Sequence, residues 1–193
     1  MDDLARLNPP AMLSAIQDRT VSVGFSMPSE PRTGAMLRVL AATKPGGHLL
    51  ELGTGTGLST AWLLDGMDQA AMLTSVDIDA KSQAVAREFL GGDARLRLVT
   101  ADAATFLRQQ THASVDLIFA DAMPGKYEVL DDALALLRPG GIYVADDMLP
   151  QDNWPQDHAA KVPRLIADLA ARPGFRIVSM AWSSGLVLVV RTH

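Results

Sequence analysis

A glycine-rich stretch that follows an acidic residue is the strongest chemical signal in this sequence. It runs Glu51-Leu52-Gly53-Thr54-Gly55-Thr56-Gly57-Leu58-Ser59, between an apolar run and a segment with helical character. Glycines at a strand-to-helix turn let a ligand lie against bare backbone, and the first amides of the helix attract an anion. Leu58 stands where a dinucleotide-binding motif has its third glycine, and the Glu51 carboxylate would repel a pyrophosphate. The stretch therefore predicts a ligand with an ammonium group, or else only a tight turn.

Further acids follow the next two apolar runs. Asp77 comes 20 residues after Gly57, a distance at which an acid commonly accepts hydrogen bonds from both hydroxyls of a ribose. The alternative is a helix N-cap, for which Asp79 is better placed. The pair Asp102-Ala103 could contact an adenine edge, or Asp102 could cap the helix that follows.

Three more acids close the fourth and fifth apolar runs. Asp121 follows residues 115–120, and Asp146 and Asp147 follow residues 142–145. Carboxyl ends of neighbouring parallel strands face the ligand crevice, so these carboxylates would repel one another unless a cation lay between them. Oxygen ligands favour Mg²⁺ or Ca²⁺, which predicts a divalent metal at Asp121, Asp146 and Asp147. Alternatively, Asp121 contacts only the cofactor amine or the substrate, and Asp147 caps a turn.

The elements that must position these residues alternate along the chain. Strands are predicted at residues 48–52, 72–76, 95–99, 115–120 and 142–145, and helices at 58–64, 80–90, 103–110 and 127–137. A helix at about 159–171 precedes strands at 175–181 and 186–190, whose short loop returns the chain antiparallel. Residues 4–19 and 34–41 are predicted as helices before the sheet. The fold class is α/β: a doubly wound, Rossmann-like, seven-stranded sheet of five parallel strands and a C-terminal antiparallel hairpin, with helices on both faces.

The composition limits the class of protein. The chain has 193 residues, a net charge of −5, 48% hydrophobic residues and no cysteine. It predicts a single domain over residues 1–193, with a helical cap at 1–45 and a cofactor-binding core at 46–193. Cysteine chemistry is excluded, the mild acidity argues against a nucleic-acid partner, and no apolar run approaches the length of a membrane span. We expect a cytoplasmic protein with a small-molecule substrate, in which residues 4–19 pack on the domain itself or on a second copy in a homodimer.

From about residue 27 to its end, the chain resembles the class I S-adenosylmethionine-dependent methyltransferases. This resemblance implies S-adenosylmethionine as cofactor, with Glu51 at its ammonium group directly or through water and Ser59 at its carboxylate. It also places Asp77 at the ribose hydroxyls and Ile78 on the adenine. The full set of cofactor residues that it implies is Glu51, Gly53, Thr54, Gly55, Thr56, Gly57, Ser59, Asp77, Ile78, Asp102, Ala103 and Asp121.

The acceptor side resembles the catechol O-methyltransferase branch of that family. The branch has Asp at the end of strand four, Lys three residues later and Tyr six residues later, and it has Asp-Asn after strand five. Asp121, Tyr127 and Asp146 match this pattern. Pro124 and Asp147 depart from it, because they stand at the lysine and asparagine positions.

This second resemblance implies methylation of a small-molecule hydroxyl, on a phenol or a catechol-like compound. Asp121 and Lys126 are the predicted catalytic residues, with Lys126 as a base in a shifted position and a bound metal to activate the hydroxyl. A metal-independent methyltransferase acting on N or O of another small molecule is one alternative, and a non-catalytic cofactor-binding protein is another. Trp154 is expected to stack on an aromatic acceptor or to pack on the helix that follows it.

Overall fold

Seven strands and seven helices make up the described part of the chain. The computed structural model describes residue 4, residues 7–151, residue 154 and residues 157–193. The strands are β1 His48–Leu52, β2 Met72–Asp77, β3 Leu96–Thr100, β4 Val115–Ala120, β5 Leu137–Ala145, β6 Phe175–Met180 and β7 Leu186–Arg191. The helices are α1 Leu13–Ser22, α2 Pro31–Ala42, α3 Leu58–Gly66, α4 Ala80–Leu90, α5 Ala103–Arg108, α6 Leu130–Leu136 and α7 His158–Ala171.

The strands form one sheet in the order β3-β2-β1-β4-β5-β7-β6. Neighbours among β1 to β5 pair in parallel, whereas β7 runs antiparallel to both β5 and β6. The direction of winding changes between β1 and β4, and such a switch point opens a crevice at the carboxyl ends of the strands. The predicted fold class and its C-terminal hairpin are confirmed.

Helices cover both faces of the sheet. One apolar core packs α1, α2, α3 and α4 on one face, with Leu37 and Trp62 among its buried members. The other packs α5, α6 and α7 on the opposite face and includes Phe106 and Leu165. Because both faces are buried, the inner strands read as near-continuous apolar runs. No helix in the described ranges is both long enough and apolar enough to cross a membrane.

Local signals explain where several helices begin. Asp79 accepts a hydrogen bond from Lys81 N at 2.9 Å and caps α4, which spans the predicted residues 80–90. Pro31 is the first residue of α2, a position at which a backbone N–H has no hydrogen-bond partner within the helix. Proline, which lacks this N–H, is therefore favourable there. The helix expected at 4–19 begins later, at Leu13, because prolines at 9 and 10 interrupt it. Residues 5 and 6 of that expected helix lie outside the described residues.

Two predicted boundaries near the acidic strand ends are wrong. The helix expected at 127–137 begins at Leu130, because Val129 before it adopts a left-handed φ of +49°. The strand expected at 142–145 begins at Leu137, since it continues through an irregularity in its pairing with β4. The first difference leaves Tyr127 in an irregular segment that follows the end of β4.

Candidate active site

A cavity of about 530 Å³ opens at the carboxyl ends of β1, β2 and β4. Its volume is within the range of roughly 300–1,000 Å³ usual for small-molecule sites. The wall combines the turn after β1, the end of β2, the start of α5 and the segment after β4. The predicted site residues that line it are Gly53, Thr54, Gly55, Thr56, Ser59, Asp77, Ile78, Asp102, Ala103, Asp121, Lys126 and Asp147.

Three other predicted site residues lie outside that wall. Glu51 is fully buried beneath the turn. Gly57 caps α3 at a φ of +94°, where a Cβ would lie 2.7 Å from the Cβ of Ala86. Asp146 lines a neighbouring cavity of about 310 Å³ together with Asp121 and Asp147.

The turn between β1 and α3 is held against the end of β4. Gly53 has a φ of +99°, and a Cβ on it would lie 2.6 Å from the carbonyl oxygen of Asp121. The amide of Gly53 donates to the carbonyl of Val76 at 2.8 Å, and the amide of Asp121 donates to the carbonyl of Leu52 at 2.8 Å. Only glycine combines this left-handed backbone with so close an approach.

The Glu51 carboxyl is buried beneath this turn. Its Oε2 accepts hydrogen bonds from Thr60 Oγ1 and Ser75 Oγ, both at 2.5 Å. Its Oε1 has no hydrogen-bond partner among the described residues. Burial raises the pKa of Glu51 to about 7, against the lowering effect of the nearby hydroxyls of Ser59, Ser75 and Thr60. A buried carboxyl in this state favours a proton or a cation at Oε1.

The acids after β2 and β3 both fix local backbone. Asp77 accepts hydrogen bonds from Gly55 N at 2.7 Å and from Asp79 N at 2.8 Å, and it borders the cavity. Asp102 caps α5, since its Oδ1 accepts from the N and Oγ1 of Thr105 at 2.8 and 2.7 Å. Capping is therefore the observed role of Asp102, and an adenine contact stays a prediction.

Asp121 and Asp146 follow the neighbouring strands β4 and β5. They bring a partly exposed carboxyl group, that of Asp121, close to a buried one, that of Asp146. Burial, and then the charge of Asp146, raises the pKa of Asp121 well above its ordinary value; burial also raises the pKa of Asp146. Ser29 Oγ donates to Asp121 Oδ2 at 3.3 Å. Ser184 Oγ and the amide of Asp147 donate to Asp146 Oδ1. Donors from the protein itself thus occupy carboxylate oxygens on both residues.

The Lys126 ammonium group lies beside both acids. Lys126 is only 3% exposed, and its Nζ donates to the main-chain oxygen of Asp146 at 3.0 Å and lies 3.9 Å from Asp121 Oδ1. Against the larger effect of burial, its charge lowers the pKa of both carboxyl groups. Across the described ranges, no group of three His, Cys, Asp or Glu side chains is arranged to hold a metal ion. While the Lys126 ammonium lies beside these carboxyl groups, the predicted metal at Asp121, Asp146 and Asp147 does not fit the arrangement.

An aromatic cluster borders the same cavity. The hydroxyl of Tyr127 and Nε2 of His158 are hydrogen-bonded at 3.1 Å, and the Trp154 ring stacks on His158 with centroids 4.3 Å apart. Trp154 thus packs on the first residue of α7, as one of its two expected roles required. Burial, and then the charge of Lys126, lowers the pKa of His158, which keeps the imidazole neutral near pH 7. No spacing signal in the sequence pointed to His158.

The segment between α1 and α2 closes one side of the cavity. Phe25, Met27, Pro28 and Ser29 all contribute to the wall. A Cβ on Gly55 would lie 3.0 Å from the Phe25 ring, which therefore rests directly on the glycine turn. These residues were not predicted as part of the site, because the segment carries no motif.

Comparison with known proteins identifies the family. Residues 50–148 match a family of proteins described as a methyltransferase domain. A protein of Mycolicibacterium vanbaalenii, named provisionally as an O-methyltransferase, is 34% identical over 143 residues, or 72% of this chain. The chain belongs to the methyltransferase family. The alignment covers 63% of that relative, so the methyltransferase chain spans just under two thirds of the length of the curated relatives that it matches.

Solved methyltransferase structures share the fold. The O-methyltransferase TomG of Streptomyces achromogenes, in complex with S-adenosylmethionine, has a TM-score of 0.83 at 21% identity, over 99% of this chain and 94% of TomG. An O-methyltransferase of Bacillus cereus, in complex with S-adenosylhomocysteine, also has a TM-score of 0.83 at 21% identity, over 97% of this chain and 94% of that protein. At this identity the likeness concerns the fold of the methyltransferase.

Proposed function

We propose that this methyltransferase transfers the methyl group of S-adenosylmethionine to a hydroxyl of a small molecule. The observation that carries the proposal is one cavity that joins the glycine turn and Asp77 at one end to Asp121 and Lys126 at the other. A donor and an acceptor held in one such cavity can be brought within about 3–3.5 Å of each other in line, which supplies much of the catalysis.

The turn end of the cavity fits the cofactor. Asp77 offers a carboxylate beside the exposed side chain of Ile78, and Ser59 lines the wall at the start of α3. These residues would hold the ribose, the adenine and the methionine carboxylate, as the family resemblance implies. The unpartnered Oε1 of Glu51 suits the methionine ammonium group. Because Glu51 lies beneath the wall, this contact would run through water. When bound, S-adenosylmethionine supplies an activated methyl group on a sulfonium.

The acidic end of the cavity fits the acceptor. The Asp121 carboxylate, whose pKa burial raises, is a stronger base than an ordinary aspartate and would take the proton of the acceptor hydroxyl. The Lys126 ammonium, 3.9 Å from that carboxylate, would steady the oxygen as its negative charge develops. Trp154 and His158 line this end, and Tyr127 is hydrogen-bonded to His158. This aromatic wall favours a phenol or a catechol-like acceptor.

Binding and turnover measurements test this proposal. Isothermal titration should show micromolar binding of S-adenosylhomocysteine, with NAD as the control ligand. Incubation with methyl-labelled S-adenosylmethionine and matched phenols and anilines should label the phenols. Equal affinity for NAD would refute the cofactor assignment. Labelling of the anilines alone would refute the hydroxyl acceptor, and binding without any transfer would support the non-catalytic alternative.

A further inference from the structure

Lys126 lies beside the acids at which the family resemblance expects a divalent metal. Its side chain is buried, and its Nζ reaches the backbone of the segment after β5 as well as the carboxylate after β4. We propose that the Lys126 ammonium is the built-in cation of the acceptor site and that this protein holds no divalent metal there. The inference rests on the proposed function for its catalytic meaning, whereas its test by metal binding does not.

The contacts of the two carboxyl groups support this inference. Mg²⁺ and Ca²⁺ bind oxygen ligands at roughly 2.0–2.6 Å and need several of them at once. Asp146 Oδ1 is already bound by Ser184 and by the amide of Asp147, and Asp121 Oδ2 accepts from Ser29. These N–H and O–H donors and the ammonium therefore neutralise the carboxylates, as a bound metal ion would do.

The departure at Pro124 agrees with the geometry. Pro124 stands three residues after Asp121, at the position where the family pattern has a lysine. Lys126, two residues further along, supplies an ammonium group instead. Gly125 between them has a φ of +84°, and its amide donates to the carbonyl of Glu128 at 2.6 Å. Lys126 directly follows Gly125 in this tight turn and lines the cavity. A divalent cation placed beside the ammonium would meet direct repulsion.

Removal of the ammonium should therefore create a metal site. Lys126→Met leaves Asp121, Asp146 and Asp147 without a compensating positive charge, so Mn²⁺ should bind this variant and raise its melting temperature. Wild-type protein and Lys126→Arg, which keeps the charge, should show no such rise at millimolar Mn²⁺, Mg²⁺ or Ca²⁺. Lys44→Met is the matched control, because the partly exposed Lys44 also donates to a main-chain carbonyl, that of Gly140 at 2.8 Å.

Electron paramagnetic resonance of Mn²⁺ would follow binding directly, without acceptor or cofactor. Stoichiometric Mn²⁺ binding to wild-type protein would overturn the proposal, and this measurement depends on no variant folding. A folded Lys126→Met protein that binds no Mn²⁺ would overturn it as well. Wild-type turnover that is unaffected by EDTA, with at least a tenfold loss of kcat and unchanged S-adenosylhomocysteine affinity in Lys126→Met, would support it. Failure of S-adenosylhomocysteine to bind wild-type protein would instead count against the proposed function.

Discussion

The buried carboxyl of Glu51 makes the stability of this protein depend on pH in a direction that the structure defines. In the folded chain its pKa is about 7, because burial disfavours the charged form, whereas its ordinary value is 4.5. Between these two pH values the folded state holds a proton that the unfolded state has released. The contribution of Glu51 to the free energy of unfolding must therefore fall as the pH rises from about 4.5 to 7, and then level off.

The substitution Glu51→Gln removes this titration. The amide oxygen of glutamine still accepts hydrogen bonds from Thr60 and Ser75, which the Oε2 of Glu51 accepts at 2.5 Å in the native protein. The rise in pKa from 4.5 to about 7 corresponds to about 3 kcal/mol, since each pKa unit is worth about 1.4 kcal/mol. For a domain of this size that is roughly 6–12 °C in melting temperature.

Thermal unfolding of the cofactor-free proteins from pH 5 to pH 8 measures the effect. From pH 5 to pH 8, the free energy of unfolding of Glu51→Gln should rise by about 2.5 kcal/mol relative to that of the wild type, because only the wild type holds a buried carboxyl with a raised pKa. Glu88→Gln, which alters a half-exposed acid paired with Arg19, should follow the wild-type curve. The other buried acids titrate in both proteins, so they cancel in the comparison. Parallel curves for wild type and Glu51→Gln would refute the reasoning.

Two further substitutions test the cofactor end of the cavity. Asp77→Ala should weaken S-adenosylhomocysteine binding by about 1–3 kcal/mol in isothermal titration, because ligand hydroxyls and Gly55 N lose a charged partner. Asp65→Ala, at a surface acid paired with Arg38, should not change that affinity, and an equal loss in both would contradict the assignment. Gly53→Ala should lower the free energy of unfolding by about 1–3 kcal/mol in chemical denaturation, because its Cβ would meet the Asp121 carbonyl at a φ of +99°. Gly92→Ala, where a Cβ meets nothing within 4 Å, is the control, and similar losses at both positions would count against the strained turn.

The sequence predicted the parts of the fold that depend on local signals. α4 begins and ends where expected because Asp79 caps it and Gly91 follows it. α6 was expected too early, because a valine in the left-handed region at position 129 leaves no trace in a hydrophobic pattern. The extension of β5 back to Leu137 depends on pairing with β4 across an irregularity, which is a property of two strands together.

In the candidate site too, residues marked by local signals were predictable, and residues brought together only by packing were not. The glycine turn, Asp77 and Asp121 were predictable, because each stands at the end of a strand and the topology brings strand ends together. His158 was not predictable, since its partner Tyr127 lies 31 residues away and only the packing of α7 joins them. The sequence also placed three acids at one edge of the sheet and Lys126 beside them as a base. The burial of Lys126 and its hydrogen bond to the main-chain oxygen of Asp146 follow only from the packed fold.

The two ends of the cavity share one strand end, and this bears on how the protein works. The backbone of Asp121 holds the glycine turn through its amide and its close carbonyl, whereas its side chain faces Lys126. The position of the turn therefore depends on the backbone at this residue and not on its carboxylate. Because the end of β4 borders both the turn and the acceptor end, this strand would help to set the distance between donor and acceptor. A substitution of the Asp121 side chain can therefore change the acceptor end while the turn at the cofactor end keeps its backbone contacts.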